Sequence, residues 1–311
     1  MKAFVLAAGF GSRLRPLTDH IPKPLMPILN VPSLFYTFFL LKEAGIDNII
    51  CNIHHHADAI RRMVASADLG GLKISFSEEK TLLGTGGGLK NCENLLRDDD
   101  FLLVNSDIIT DIDFRKLVRC HAAGGCPGTL TLYESPDAMD IGAVSVENGL
   151  IRDFRNRRNT GIASSCIYTG TAVLSPLIFR FLEKTFSGIV ETGFTGLMDH
   201  GGLGYYLHKG LWQDIGTPES YMQANTGGNA LFDNLVLRMN RVSGIHPHRI
   251  SDNASIGEGA RITSSVIGEG CSVGENAVVE YAVLLPGARV AAGATVRHAV
   301  LGRHGTLLLN Q

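Results

Sequence analysis

The first thirty residues combine residue types that bind phosphate. A short apolar run over residues 3–7 ends near two glycines, Gly9 and Gly11, and cations follow in the same loop: Arg13, Arg15 and Lys23. Glycine permits a sharp turn and lets backbone N–H groups approach a ligand without a Cβ in the way. Successive N–H groups in such a turn form an anion-binding concavity, which guanidinium and ammonium groups strengthen. The stretch therefore predicts a polyphosphate-binding loop.

The spacing of these residues differs from two common phosphate-binding motifs. A P-loop requires Gly-x-x-x-x-Gly-Lys followed by Ser or Thr, and this string is absent. The dinucleotide fingerprint Gly-x-Gly-x-x-Gly requires a third glycine where this chain has Leu14. Gly9 and Gly11 alone are equally consistent with an ordinary strand-to-helix turn. Motifs elsewhere in the chain are needed to distinguish this turn from a phosphate-binding loop.

One aspartate is a candidate for binding a divalent metal. Asp107 follows the apolar run 101–104, at the carboxyl end of a predicted strand. Mg²⁺ prefers oxygen ligands, usually one or two carboxylates with phosphate oxygens completing the shell. A lone aspartate after a strand is more often a helix cap, so a second carboxylate motif is needed to favour this interpretation.

The elements that must position these residues alternate between helix and strand. The pattern predicts helices over 33–44, 57–67 and 86–96, and strands over 48–53, 72–76 and 101–104. Such alternation is typical of a doubly wound, Rossmann-like α/β sheet with parallel strands. Ligands bind outside the carboxyl ends of the strands in these sheets. We therefore expect the 9–15 loop and Asp107 to lie on the same rim.

The middle of the chain is richer in strand patterns. Strands are predicted over 129–133, 143–146, 151–154, 165–169 and 203–207, with helices over 176–185 and 218–232. We expect these strands to extend the first sheet as a mixed sheet and to build the other wall of a pocket.

The last sixty residues carry a hexapeptide repeat. Apolar residues recur at spacings of six, six and five, three times over, at Ile250, Ile256, Ile262, Ile267, Val273, Val279, Leu284, Val290, Val296 and Leu301. This repeat is typical of a left-handed parallel β-helix. The predicted domains are therefore a catalytic domain over 1–226, a linker over 227–247 and a β-helix over 248–311.

Composition narrows the class of protein further. The 311 residues carry a formal net charge of −2, so no broad basic field is available for nucleic acid or an anionic membrane. The six cysteines are scattered without a Cys-x-x-Cys pair, which favours a reduced cytoplasmic protein without a zinc site. No apolar run approaches the length of a transmembrane helix, about 18 residues or more.

Several of these motifs together resemble one family. The string Leu-Ala-Ala-Gly-x-Gly-x-Arg-Leu-x-Pro-Leu-Thr at 6–18, Pro-Lys-Pro-x-x-Pro at 22–27, Leu-Gly-Thr-Gly-Gly-Gly at 83–88 and Trp-x-Asp-x-Gly-Thr-Pro at 212–218 resemble the sugar-1-phosphate nucleotidylyltransferases (NDP-sugar pyrophosphorylases). The β-helix tail is similar to that of mannose-1-phosphate guanylyltransferase-like members. The resemblance implies Mg²⁺-dependent transfer of a nucleotidyl group from an NTP to a sugar 1-phosphate, which releases pyrophosphate.

The resemblance also implies roles for particular residues. Arg13 would bind the β- and γ-phosphates, Lys23 the α-phosphate and the incoming phosphate, and Asp107 and Asp214 the Mg²⁺ ion. The nucleotide-binding set would be Ala8, Gly9, Gly11, Ser12, Thr85, Gly86 and Gly87.

The sugar side departs from the family pattern. Gly142 and Gly170 match glycines near the hexose, but the usual Glu-Lys-Pro clamp is replaced by Asn156, Arg157 and Arg158. Arg157 either takes the place of the clamping lysine or belongs to a solvated charge run.

Substrates and assembly stay open at this point. The Ala-Ala-Gly string at 7–9 slightly favours UTP, with GTP next because of the β-helix tail. A bifunctional enzyme with an acyltransferase β-helix is an alternative, but no inserted loop bears a histidine. A non-catalytic scaffold subunit is another, although its typical loss of cations and carboxylates is not seen. We expect a homo-oligomer.

Overall fold

The structure is a computed structural model that describes residues 1–242 and 245–309. Residues 243–244, inside the predicted linker, and 310–311, at the end of the predicted β-helix domain, lie outside the described residues. Within the described ranges, none of the helices combines the length and the apolar character needed to cross a membrane.

The helices, in chain order, are α1 (Ser33–Ala44), α2 (Ala57–Ser66), α3 (Gly84–Asn91), α4 (Glu93–Leu96), α5 (Phe114–Gly124), α6 (Ala138–Ile141), α7 (Thr195–Asp199), α8 (Pro218–Thr226) and α9 (Ala230–Val242). The strands up to the end of the large sheet and its neighbours are β1 (Lys2–Leu6), β2 (Pro27–Ile28), β3 (Val31–Pro32), β4 (Asn48–Ile53), β5 (Lys73–Glu78), β6 (Phe101–Asn105), β7 (Ile108–Thr110), β8 (Gly128–Glu134), β9 (Val144–Glu147), β10 (Leu150–Phe154), β11 (Cys166–Leu174), β12 (Gly204–His208) and β13 (Trp212–Asp214). The repeat region contains β14 (Ser255–Ile256), β15 (Arg261–Thr263), β16 (Val266–Ile267), β17 (Ser272–Val273), β18 (Val278–Leu284), β19 (Arg289–Val290), β20 (Thr295–Leu301) and β21 (Thr306–Leu308).

The chain divides into two compact units, each built from separate stretches of sequence. The first unit comprises Met1–Gly9, Leu40–Ala57 and Gly71–Trp212. The second comprises Phe10–Phe39, Asp58–Gly70 and the described residues from Gln213 onward. The linear boundaries expected from sequence, with a linker over 227–247, stay a prediction.

A nine-stranded mixed sheet forms the first unit, in the order β5-β4-β1-β6-β11-β8-β12-β10-β9. Strands β5, β4, β1 and β6 are parallel, β11 runs antiparallel between β6 and β8, and β9 and β10 form an antiparallel edge. The sheet confirms the predicted α/β class and the mixed extension. Its apolar strands are buried because both faces are covered, as Phe4 and Leu103 show by being fully inaccessible to solvent.

The register of the parallel strands aligns their carboxyl ends. Leu6 at the end of β1 pairs with Asn52 in β4 and with Asn105 in β6. The residues that follow β1 and β6 therefore leave the sheet side by side. The binding of a ligand at this rim stays a prediction.

Parallel coils of seventeen residues form the C-terminal part of the second unit. Ile256 pairs with Val273 and Val273 with Val290, while Ile262, Val279 and Val296 form the equivalent ladder on another face. The repeat of six, six and five residues thus corresponds to one coil. Strand β21 folds back and pairs antiparallel with the outer edge of β20. This pairing covers an edge that a parallel coil would otherwise leave exposed.

Three predicted helices differ from the observed ones, and one observed helix was not predicted. The helix expected over 86–96 is divided at Cys92 into α3 and α4, and the one over 176–185 is a shorter 3₁₀ helix, Pro176–Phe181. The helix expected over 218–232 stops at α8 because Gly227 is extended, and α9 follows it. Helix α5 was missed although its signals are present: the Asp113 side chain accepts a hydrogen bond from Lys116 N, and Gly125 is left-handed.

Candidate active site

The predicted phosphate loop, taken as residues 10–25 of the second unit, is a series of 3₁₀ turns. Gly11 precedes the turn Ser12–Leu14 with φ of 66°, a left-handed conformation that favours glycine. The Thr18 hydroxyl donates a 2.8 Å hydrogen bond to the Gly11 carbonyl. A Cβ at Gly11 would lie only 3.0 Å from the Cβ of Lys23, so the loop closes tightly on the stem of this lysine.

Three charged groups of the second unit converge on Gly216. A Cβ built on Gly216 would lie 2.5 Å from Arg13 Nη2, 2.6 Å from Asp214 Oδ1 and 2.9 Å from Lys23 Nζ. Gly216 N donates a short hydrogen bond to Asp214 Oδ1. The motif around Asp214 and the two predicted phosphate-binding cations, which lie two hundred residues away in sequence, are therefore brought together around a glycine that leaves room for them.

Helix α8 fixes the segment that carries Asp214. Thr217 caps the helix, because its side chain accepts a 3.2 Å hydrogen bond from Ser220 N while the Ser220 hydroxyl accepts one from Thr217 N. Further along α8, Asn225 Oδ1 accepts a 2.9 Å hydrogen bond from Leu29 N, and Tyr221 donates to the Pro27 carbonyl at 2.6 Å. These bonds tie the helix to the chain just beyond Lys23.

Arg15 does not share in this convergence. Its guanidinium forms an ion pair with Asp19 at 3.0 Å, and both side chains are about half exposed. The family resemblance gives Arg15 no role, and this local ion pair provides it with a partner of its own.

A buried polar chain links the two glycine-containing segments of the first unit. Ala7 N donates to Asn52 Oδ1 at 2.8 Å, Asn52 Nδ2 donates to Glu79 Oε1 at 2.7 Å, and Leu83 N donates to Glu79 Oε2 at 2.8 Å. Asn52 and Glu79 are nearly inaccessible to solvent. Buried polar groups satisfied in this way hold their partners rigidly, so the end of β1 and the start of α3 are positioned as one piece. Sequence reasoning missed both residues.

The second glycine-rich segment packs against residues 185–189 of the same unit. Gly86 N donates to the Ser187 carbonyl at 2.9 Å, and Ile189 N donates to Thr85 Oγ1 at 2.9 Å. A Cβ on Gly86 would lie 2.7 Å from Ser187 Oγ, and one on Gly87 would collide with the Thr185 carbonyl. The close backbone approach by itself explains why these positions are glycine. Their predicted contact with the base stays a prediction.

Asp107 follows β6 where that strand is fastened to β1. The Ser106 hydroxyl donates to the Leu6 carbonyl at 2.7 Å. A Cβ on Gly170 would lie 2.7 Å from Asn105 Nδ2, so the predicted sugar-side glycine packs against the segment that carries Asp107. Gly170 is therefore packed against Asn105, two residues before the metal candidate Asp107.

The chain that leads to Asp214 runs beside the chain that follows Asp107. Thr110 donates to the Leu211 carbonyl at 2.7 Å, and the Trp212 indole N–H donates to the Thr169 carbonyl at 3.0 Å. Asp111 accepts a 2.6 Å hydrogen bond from Leu211 N and lies 3.1 Å from His208 Nε2. Burial alone would raise the pKa of Asp111, but these hydrogen bonds outweigh it and the pKa is lowered.

The predicted sugar-side cation has an acidic partner. Arg157 Nη2 lies 2.8 Å from Glu191 Oε1, with both side chains about half exposed. Asn156 Oδ1 accepts a 3.2 Å hydrogen bond from Gly161 N within the same loop. Gly142 is covered by the guanidinium of Arg155, whose Nη2 donates to the Ile141 carbonyl at 2.6 Å. The pairing of Arg157 with Glu191, thirty-four residues away, cannot be predicted from the sequence.

The donor atoms suit a hard divalent cation bound partly by substrate. Among the described residues there is no cluster of three or more His, Cys, Asp or Glu side chains that could enclose a metal. Asp107 of the first unit and Asp214 of the second unit each offer carboxylate oxygens. Carboxylate oxygens suit Mg²⁺, which is usually held by one or two carboxylates with phosphate oxygens completing its shell.

A mixed α/β sheet with a cationic glycine loop and a hexapeptide β-helix is the architecture of the nucleotidyltransferase class. The sequence profile described as "Nucleotidyl transferase" matches residues 2–229, and the one described as "GlmU-like, C-terminal hexapeptide" matches residues 237–308. The chain belongs to the nucleotidyl transferase family.

Curated relatives carry a common name. The mannose-1-phosphate guanylyltransferase catalytic subunit beta of Xenopus tropicalis is 30% identical over 227 residues, and its Danio rerio counterpart 32% over 228 residues. In each case the match covers 71% of this chain but only 63% of the relative's length. The putative mannose-1-phosphate guanyltransferase of Sulfolobus acidocaldarius is 29% identical over 274 residues, covering 86% of this chain and 76% of the relative.

Solved structures share the fold. A putative glucose-1-phosphate thymidylyltransferase from Bacillus anthracis, crystallised with sucrose, superposes with a TM-score of 0.66 at 23% identity, over 75% of this chain and 99% of its own. HddC from Yersinia pseudotuberculosis, complexed with GMP-PN, superposes with a TM-score of 0.59 at 24% identity, over 72% of this chain and 97% of its own.

Proposed function

We propose that this protein transfers a nucleotidyl group from an NTP to a sugar 1-phosphate and releases pyrophosphate. The observation that carries the proposal is the convergence of Arg13, Lys23 and Asp214 around Gly216. Two cations beside one carboxylate leave net positive charge where a triphosphate would bind. Membership of the nucleotidyl transferase family supports the same reaction.

The proposed reaction needs positioning and charge neutralisation more than proton transfer. A sugar phosphate is already ionised, so it attacks the α-phosphorus without a general base while pyrophosphate leaves. Two anions must approach each other, and fixed cations lower that barrier. Arg13 binds the β- and γ-phosphates through its planar guanidinium, and Lys23 binds the α-phosphate and the incoming phosphate.

Asp107 and Asp214 would hold the Mg²⁺ ion through carboxylate oxygens. When bound, Mg²⁺ supplies positive charge that offsets the charge on the reacting phosphates. Asp214 accepts the hydrogen bond from Gly216 N, which orients its carboxylate.

The nucleotide would lie against backbone groups of both glycine segments. Ala8, Gly9, Gly11 and Ser12 provide the first segment, and Thr85, Gly86 and Gly87 the second. The chain Ala7–Asn52–Glu79–Leu83 supports this proposal because it ties the ends of both segments together through buried hydrogen bonds.

The sugar 1-phosphate would be held near Gly142, Gly170, Asn156 and Arg157. The ion pair between Arg157 and Glu191 is exposed, and exposed pairs are weak, contributing about 0–1 kcal/mol. A phosphate can therefore displace Glu191 from Arg157 at little cost, so Arg157 stays our choice for the missing lysine.

The base is proposed from the relatives. The Ala-Ala-Gly string slightly favours UTP, whereas the curated relatives are named for guanylyl transfer to mannose 1-phosphate. We therefore propose GTP and mannose 1-phosphate as the first pair to assay.

The experiment is a matrix of five NTPs against hexose and heptose 1-phosphates with Mg²⁺, read as pyrophosphate release. One NTP should dominate by orders of magnitude. A chain that releases no pyrophosphate with any pair would be a non-catalytic subunit of this fold. We also propose a homo-oligomer, and a monomer by light scattering at micromolar concentration would contradict it.

A further inference from the structure

Two adjoining hollows lie where the last β-helix coil meets the phosphate loop, within the second unit. The first, of about 340 Å³, is lined by the turn that carries Leu17 and His20 and by Arg303 and His304. The second, of about 610 Å³, is lined by Arg289 and again by Arg303. Because they share Gly302 and Arg303, the two hollows form one groove. Small-molecule sites measure about 300–1,000 Å³.

The groove is lined by cations that lack acidic partners. Across the described residues, Arg289 and Arg303 have neither an ion pair nor a hydrogen bond within the chain. By contrast, Arg297 on the same β-helix pairs with Glu280 at 2.7 Å. The stem of Arg303 lies over Gly287, with its Cδ 3.7 Å from the position of a Cβ there.

Imidazoles add hydrogen-bond donors at the other end of the groove. The rings of His20 and His304 have their centroids 4.5 Å apart. Asp19, the acidic neighbour of His20 in sequence, is engaged by Arg15. The two guanidiniums and two imidazoles along this groove are donors that phosphate oxygens can accept from.

We propose that this groove binds a small phosphate-bearing anion at a site separate from the one around Gly216. Guanidinium forks on Arg289 and Arg303 bind the phosphate oxygens, and His20 and His304 donate the remaining hydrogen bonds. The anion is a phosphate ester or a diphosphate, because the guanidinium groups favour planar, bidentate recognition.

Occupancy of the groove acts on the loop between Arg13 and Lys23. A Cβ on Gly302 would lie 3.2 Å from Leu17 Cδ2, and one on Gly305 would lie 2.7 Å from Pro16 Cγ. The last coil therefore touches the segment that joins the two cations. This consequence rests on the proposed function, because it makes the anion a regulator of NTP binding. Binding of the anion to the groove does not depend on the proposed function.

The test uses the full chain and inorganic phosphate as the probe, titrated by isothermal calorimetry. Arg13→Ala removes the phosphate site near Gly216 and leaves the groove. In that background the protein should bind phosphate, and adding Arg289→Ala with Arg303→Ala should weaken binding about tenfold or more. The matched control, Arg297→Ala in the same background, should leave binding unchanged.

A second readout tests coupling to the loop. Hydrogen exchange of the peptide over residues 16–21 should slow with phosphate in the Arg13→Ala protein, and this change should vanish when Arg289 and Arg303 are also replaced. If these replacements leave phosphate binding intact, the groove is not the site. If binding is lost but exchange never responds to phosphate, the coupling is wrong. Neither outcome depends on turnover, so a failure here is distinct from failure of the proposed transferase activity.

Discussion

The glycine at 216 offers the sharpest perturbation of the proposed centre. In Gly216→Ala, the new Cβ would lie 2.5–2.9 Å from Arg13 Nη2, Asp214 Oδ1 and Lys23 Nζ, whereas ordinary contacts begin at 3.4 Å. Each group must therefore move by about 0.5–0.9 Å. All three are ends of flexible side chains, and the φ of residue 216 is one that alanine adopts, so the fold should survive.

The Gly216→Ala substitution should lower the catalytic rate although it leaves the fold intact. A misplacement of about 1 Å in a reacting centre can cost about 100-fold in rate, equivalent to about 3 kcal/mol of transition-state stabilisation. We therefore expect kcat/KM for pyrophosphate release to fall about 100-fold in Gly216→Ala, with an unchanged melting temperature. Gly228→Ala is the matched control because a Cβ there meets nothing within 4 Å. Full activity in Gly216→Ala would refute the assignment of these three groups to the phosphate site.

Two further predictions concern the first unit. Asn52→Ala breaks the buried chain between Ala7 N and Glu79, and leaving its partners unsatisfied should destabilise the fold by about 1–3 kcal/mol and raise KM for the NTP more than it lowers kcat. Denaturant unfolding with substrate kinetics measures both effects, and an unchanged KM would limit Asn52 to a purely structural role. The pKa of Asp111 is lowered in the fold, so its contribution to stability is present above its ordinary value of 3.8 and is lost as the pH falls through the lowered folded value. The Asp111→Asn protein should therefore be less stable than the natural chain at neutral pH, and its stability should fall less steeply below pH 3.8. The free energy of unfolding, measured from pH 7 to pH 2, would show both effects. Parallel curves of unfolding free energy against pH for the two proteins would contradict this account.

Local pattern predicted most of the fold. Helix α1 and strand β4 have the predicted bounds because apolar periodicity and a glycine stop define them. The spacing of the hexapeptide repeat predicted the register of the coils, since each ladder pairs residues seventeen apart, as Val279 and Val296 do. Helix α5 was not predicted, although its capping residue Asp113 and the glycine that ends it, Gly125, are both visible in the sequence.

The parts that sequence could not supply depend on distant partners. The sequence left Arg157 either as a phosphate ligand or as part of a solvated charge run, and its ion pair with Glu191, thirty-four residues later, appears only in the fold. Asn52 lies between apolar residues at the end of β4, and Glu79 lies between Glu78 and Lys80 just after β5, so nothing local marks the two as hydrogen-bonded to each other. The glycines at 86 and 87 are predicted to contact a nucleotide, and the sequence does not show that the fold also packs them against Ser187 and Thr185. Each of these depends on tertiary geometry.

The central claim is that Arg13, Lys23, Asp107 and Asp214 form a metal-dependent nucleotidyl transfer site. The most direct measurement is steady-state pyrophosphate release from GTP and mannose 1-phosphate with Mg²⁺, comparing the natural chain with Asp107→Ala. Asp98→Ala is the control, since Asp98 is an exposed aspartate of the same unit. We expect release that requires Mg²⁺ and both substrates, falls about 100-fold or more in Asp107→Ala and is unchanged in Asp98→Ala. An Asp107→Ala protein that stays as active as the natural chain would contradict the account.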